Sequence, residues 1–249
     1  MLAGCTSKLD FTAPVTPVIP TGGTPDLIIS EVSTAINTYT NPISTLKYRN
    51  HYVELYNATT SSIDLSNYAI GYQATDSTNL NSMPWNFPDT TVFKQLSGSL
   101  AASTCFVIAS PQADTPTLLS KAQLIWGDAA TTGNASKPLS LSGNSAIALL
   151  KKADTGTVIL GGIKYRIIDV FCSPLVPRIK ATFTGKASTR NNYMWPIGDT
   201  TNDTRNRTFW RVPTVTAPQA DWTISNAAGN SQWRVSKDKV WDYSNIGFR

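Results

Sequence analysis

The sequence predicts an all-β protein, a β-sandwich with elaborated loops. Three observations predict it. Short runs rich in Val, Ile, Tyr and Phe recur from Leu27 onward between Gly, Asn and Asp turn signals. Helical periodicity is confined to one short stretch. Only 15% of the residues are charged, while Thr, Ser and Asn fill 73 of the 249 positions, so hydroxyl and amide groups wet the surface. The 41% of hydrophobic residues is enough to fill a core in a chain of this length. No run of about 18 apolar residues occurs, so no helix-spanning segment is expected.

Residues 1–25 are expected to be a leader and tether, and 26–249 the folded domain. Leu2-Ala3-Gly4-Cys5 resembles the lipobox of bacterial lipoproteins, in which the Cys carries the lipid. The expected location is therefore a bacterial outer membrane or cell surface, with the membrane held through lipid on Cys5. Pro14, Pro17, Pro20 and Pro25 among threonines favour extended, solvated chain between that anchor and the domain.

The strands follow in order. Leu27 to Val32 opens the series. His51 to Asn57 alternates Tyr52, Glu54 and Tyr56 on one face with Val53 and Leu55 on the other. Tyr68 to Tyr72, Cys105 to Ala109, Ala146 to Leu150 and Ile167 to Phe171 continue it, with turns at Gly143-Asn144-Ser145, Asp154-Thr155-Gly156 and Gly161-Gly162. Pro116 to Trp126 is the one stretch expected to be helical, with Leu118, Leu119, Ala122 and Ile125 at helical spacing.

Leu27-Ile28-Ile29-Ser30-Glu31-Val32, Tyr52-Val53-Glu54-Leu55-Tyr56-Asn57 and Ile63-Asp64-Leu65-Ser66-Asn67-Tyr68 resemble the opening strands of a lamin-tail domain. Phe106 to Ala109, Leu139 to Asn144 and Ile168 to Val170 are similar to its later strands, in the same order. Asn206 to Val212, Asp221 to Thr223 and Trp241 to Gly247 are similar to its closing segments. The resemblance implies an immunoglobulin-like β-sandwich over residues 26–249 that binds rather than catalyses. It brings no catalytic residues and no cofactor. Longer stretches between Gln73 and Ala102 and between Phe171 and Arg205 depart from the pattern.

Catalytic motifs are sparse. The only His, His51, is expected to be a surface or cross-strand residue rather than a general base. Glu31 and Glu54 are the only glutamates; they would form an acid–base pair if adjacent strands brought them together, but buried carboxylates bonded to backbone are the expectation. Asp199, Asn202 and Asp203 cluster oxygens as a calcium loop does, without the glycine and closing Glu of an EF-hand, so a polar turn is expected. Cys105 and Cys172 are either a disulfide or two buried thiols.

Charge is uneven: residues 1–163 carry a net −2 and residues 164–249 a net +7, with five of the seven Trp in the latter part. Trp195, Arg205, Arg207, Arg211, Arg234 and Lys237 are therefore a candidate basic face for an acidic partner. The leading expectation is a non-enzymatic surface module binding an envelope protein or glycan. The alternatives are a structural subunit of an envelope assembly, an accessory nucleic-acid-binding module, or a hydrolase with an unrecognised site.

Overall fold

The computed structural model describes residues 23–34, 36–40, 47–74, 81–113, 115–127, 139, 141, 143–180, 193–197, 204, 207–236 and 242–249. Cys5 and the tether lie outside them, as do Asp199, Asn202, Asp203, Arg205 and Lys237.

Two sheets face each other. The six-stranded sheet runs in the order Leu124–Ile125, Cys105–Ala109, Tyr52–Asn57, Leu27–Ser33, Thr208–Arg211, Trp233–Val235. Its pairs are antiparallel except for the short Leu124–Ile125 edge. The five-stranded sheet is antiparallel, in the order Val158–Leu160, Ile163–Phe171, Ser145–Lys152, Tyr68–Ala74, Phe93–Gln95. Period-two alternation sends Leu27, Ile29, Val32, Val53, Leu55 and Phe209 of the first sheet into the shared core. Ile70, Ile147, Leu149 and Phe171 of the second meet them there. This is the all-β, immunoglobulin-like sandwich that the sequence predicts.

Among the described residues, one ion pair lies in the core. Asp169 accepts from Arg211 Nη2 at 2.8 Å, from the Ile29 backbone N–H at 2.8 Å and from that of Gln219 at 2.9 Å. Both side chains of the pair are fully buried. The bonds join the two sheets and hold the loop after Arg211 against them.

Two elements depart from expectation. The stretch from Pro116 to Trp126 makes one π-helical turn, Thr115–Leu119, and then an edge strand. The open edge of Cys105–Ala109 competes for its backbone: Gln123 N–H donates to Val107 O at 3.0 Å, and Val107 N–H donates to Gln123 Oε1 at 2.7 Å. A four-residue helix, Trp222–Ser225, forms where none was expected, capped by Asp221 accepting from Thr223 N–H at 2.8 Å.

Cys105 and Cys172 are two free thiols, not a disulfide. The reason is placement. Cys105 sits opposite Tyr56 on the outward side of the six-stranded sheet, whereas Cys172 follows the end of Ile163–Phe171 in the other sheet and is buried in the core.

Candidate functional site

The outward side of the six-stranded sheet carries a cleft of about 220 Å³. Its origin is a β-bulge. Register slips between Ile29 and Glu31, which sets Glu31 directly opposite Glu54 and leaves Ser30 as the extra residue. Ser30 Oγ then donates to Glu54 Oε1 at 2.7 Å. On the other side, Leu27–Ser33 pairs with Thr208–Arg211 only from Glu31 to Ser33. Ser30, Glu31 and Glu54 line one wall of the cleft, and Trp210, Arg211, Pro213 and Arg234 the other. Asn245, Phe248 and Arg249 come over it from the C-terminal segment.

The two glutamates, far apart in sequence, are thus brought together. Each is bonded within the chain. Glu54 Oε2 accepts from the Gly247 backbone N–H at 2.7 Å, and Glu31 Oε1 accepts from Tyr52 Oη. The expectation of a buried glutamate bonded to backbone holds for Glu54, while the bonded partner of Glu31 is a phenol. Burial pushes the Glu31 carboxyl well above the usual glutamate range, and the neighbouring Glu54 adds to it. Burial also raises Glu54, against the opposing bonds from Gly247 and Ser30. The Cys105 thiol beside Glu54 is pushed up by burial and by that carboxylate, so it is not an activated nucleophile.

Arg211 borders the cleft without offering it a donor: its side chain is fully buried on the inward side, where Nε and Nη1 find no acceptor among the described residues. The Trp210 indole N–H is directed at the Glu31 carboxyl, a weak hydrogen-bonding contact that lowers it against the effect of burial. Arg249 stands over the Tyr56 ring at 4.8 Å and donates through Nη2 to Val212 O at 2.7 Å and Val215 O at 2.6 Å. Phe248 is 72% exposed at the rim.

The candidate basic face does not form from the described residues. Arg207 and Arg211 do share a strand side, as alternation requires, but it is the inward side that also carries Phe209. Arg207 donates through Nη1 to Ser236 O at 3.0 Å, and Arg211 is held by Asp169 and the Trp233 ring at 4.7 Å. Trp195 is buried, with Nε1 donating to Val176 O at 3.2 Å and Arg178 over its ring. Among the described members of the set, only Arg234 is partly exposed, opposite Trp210. Trp210 itself, which the resemblance places in a scaffold strand, faces outward and is half-buried.

His51 is buried rather than at the surface. Its Nδ1 accepts from the Leu141 backbone N–H at 2.9 Å, a bond that fixes a strand end. Among the described residues, no group of three or more His, Cys, Asp or Glu could hold a metal ion.

Sequence reasoning missed Ser30, Pro213, Asn245, Phe248 and Arg249. A polar residue beside Glu31 in an otherwise apolar strand run was the one signal of the bulge. Nothing in local sequence marks the last residues as a cover for the sheet.

No match was found among curated proteins or solved structures. The family model of the lamin tail domain matches residues 20–165, which takes in Ser30, Glu31 and Glu54 but not the second wall or the cover of the cleft. With more than half of its length matched, this chain belongs to the lamin tail domain family.

Proposed function

We propose that the protein is a non-enzymatic binding module and that the outward cleft is where it holds a macromolecular partner of the cell surface. The observation that carries this reading is the combination of bonded carboxylates with an open aromatic and cationic rim. Glu31 and Glu54 are engaged by Tyr52, Ser30 and Gly247, while Phe248 stands exposed beside Arg249. Aromatic and arginine side chains at a concave site are the usual anchors of recognition.

A photo-crosslinking residue placed at Phe248, compared with one at Ile159 on the far sheet, tests it in native membranes. A discrete partner captured from position 248 and lost on Arg234→Glu is the expected outcome. Equal capture from both positions, or none from 248, overturns the reading.

The lipobox-like Leu2-Ala3-Gly4-Cys5 supports display on an envelope surface. With lipid on Cys5, the precursor partitions with membranes and a Cys5→Ser form is released to the soluble fraction. Identical fractionation of the two forms sinks the anchor.

A further inference from the structure

We propose that the open edge of the five-stranded sheet, strand Val158–Leu160, takes an extended acidic peptide of a partner as an added strand. The surface is separate from the outward cleft, and the inference goes beyond the reading of that cleft.

Backbone geometry comes first. Val158–Leu160 ends the order of its sheet and pairs there with Ile163–Phe171, through Val158 with Tyr165, Ile159 with Lys164 and Leu160 with Ile163. The backbone of Lys164 is turned the other way, since its carbonyl accepts from Ala153 N–H at 3.1 Å. In an antiparallel ladder bonded and non-bonded pairs alternate, and both polar groups of one residue point to the same side. Ile159 therefore meets Lys164 across a non-bonded pair and aims its own N–H and C=O away from the sheet. Gly161 and Gly162, at φ 58° and 80°, close the hairpin in two residues and fix this register.

The edge is also poorly guarded. Of the devices that blunt sheet edges, Val158–Leu160 has brevity but no charge, proline or bulge of its own. Ile159 is 61% exposed. A lone exposed isoleucine is ordinary, but one whose backbone groups also point outward is a template for pairing.

Charge says which strand fits. Residues two apart share a face, so Lys164 and Arg166 stand on the side of Ile159, and both are exposed. Lys151, opposite Arg166, is neutralised by Asp26 at 2.6 Å. Lys152 adds a cation on the other face, opposite Tyr165, and Asp154 in the preceding turn is the one acid close by in sequence. Such an edge favours carboxylates and disfavours a second copy, which would bring the same cations against it. Thr157 is short and Gly161 has no side chain, so a carboxylate opposite either has a path to Arg166 or Lys164. An apolar residue opposite Ile159 with an acid two places to each side answers the whole edge. Strand addition is a recurring mode of recognition, in which backbone bonds supply affinity and alternate side chains supply selectivity.

The test titrates the full chain against fluorescein-labelled Gly-Glu-Thr-Val-Thr-Glu-Gly, a version with Lys for both Glu, and a version N-methylated at Val. At about 50 mM salt the acidic peptide is expected to bind at least about tenfold more tightly than the basic one, a gap that narrows at about 200 mM. Ile159→Pro removes the outward N–H without taking a bond from the sheet, a place where strands tolerate proline. It should weaken the acidic peptide at least about tenfold, and N-methylation should do the same on the wild-type chain, whose fold is not in question. Lys164→Glu with Arg166→Glu should invert the preference between peptides. Equal binding of acidic and basic peptides, no saturable binding of the acidic one, or indifference to N-methylation each overturn the assignment. Self-association abolished by Ile159→Pro, with no peptide bound, gives the edge to a second copy and overturns it too. A crosslinker at Ile159 then captures a species other than the one held at Phe248; one and the same species from both positions overturns both readings. If the peptide fails while capture from position 248 persists, this inference falls alone.

Discussion

At Asp169 a single carboxylate organises three parts of the chain. It accepts from Arg211, from Ile29 in the opposite sheet and from Gln219 in a loop, all within 2.9 Å. Burial raises its carboxyl, and the Arg211 charge and the two backbone bonds work against that rise. Asp169→Ala would leave Arg211 charged and buried, with no acceptor among the described residues, so it should cost about 3–5 kcal/mol in chemical denaturation. A loss below about 1 kcal/mol would mean that the pair contributes little beyond its own desolvation. In the sequence, Asp169 reads as one acid in an apolar run, which announces a buried charge; that its counterion is Arg211 depends on strand facing. The sequence pattern puts Arg207 and Arg211 on one side of a strand, but only packing against the second sheet makes that side the inside.

At the scale of elements, strands with strict alternation were legible and their neighbours less so. Cys105–Ala109 occurs where the pattern places it, and Tyr52–Asn57 within one residue of it. The apolar spacing from Pro116 onward reads as helix because Leu118 and Ala122 do share a packing face, but an open sheet edge takes the backbone after one turn. The longer stretch from Gln73 to Ala102 departs from the family pattern; its described part crosses the outer side of the five-stranded sheet. There Gln73 bonds Pro84 O and Asn86 N–H, and Phe87 lies on Gly71, stacked on Trp85 and edge-on to Phe93. A Cβ at Gly71 would come within 2.4 Å of the Phe87 ring. Gly71→Ala should therefore lose about 1–3 kcal/mol by displacing that ring. In a Phe87→Ala background the same change should be nearly neutral, so a double-mutant cycle reads the contact directly. Additive losses would place the cost in the strand backbone instead.

Over the whole molecule, the sandwich was legible because it follows from pattern, whereas the cleft was not, because it arises from a bulge, diverging strands and a covering C-terminal segment. Those three features place the only two glutamates together under cover, and this has a consequence for the stability of the entire fold. Glu31 is raised by burial and then by Glu54, and Glu54 is raised by burial. In the folded protein both hold their protons to higher pH than in the unfolded chain, whose glutamates titrate near 4.5. Their contribution is fully present below that value and is lost as pH rises through the folded titrations, since the unfolded state then releases protons first. Exposed Asp64 and Asp89, which their own turns hold below the usual range, act in the opposite sense as pH falls. The two effects separate in one variant. Glu31→Gln keeps an acceptor for Tyr52 but cannot ionise, so its stability relative to wild type should grow steadily from pH 4.5 to 8. Each unit of difference between folded and unfolded titration is worth about 1.4 kcal/mol of that gain. Denaturation curves collected across the range decide it. If the two proteins keep a constant difference, Glu31 ionises as freely in the fold as outside it, and the cover over the cleft does not exclude water from the carboxylate pair.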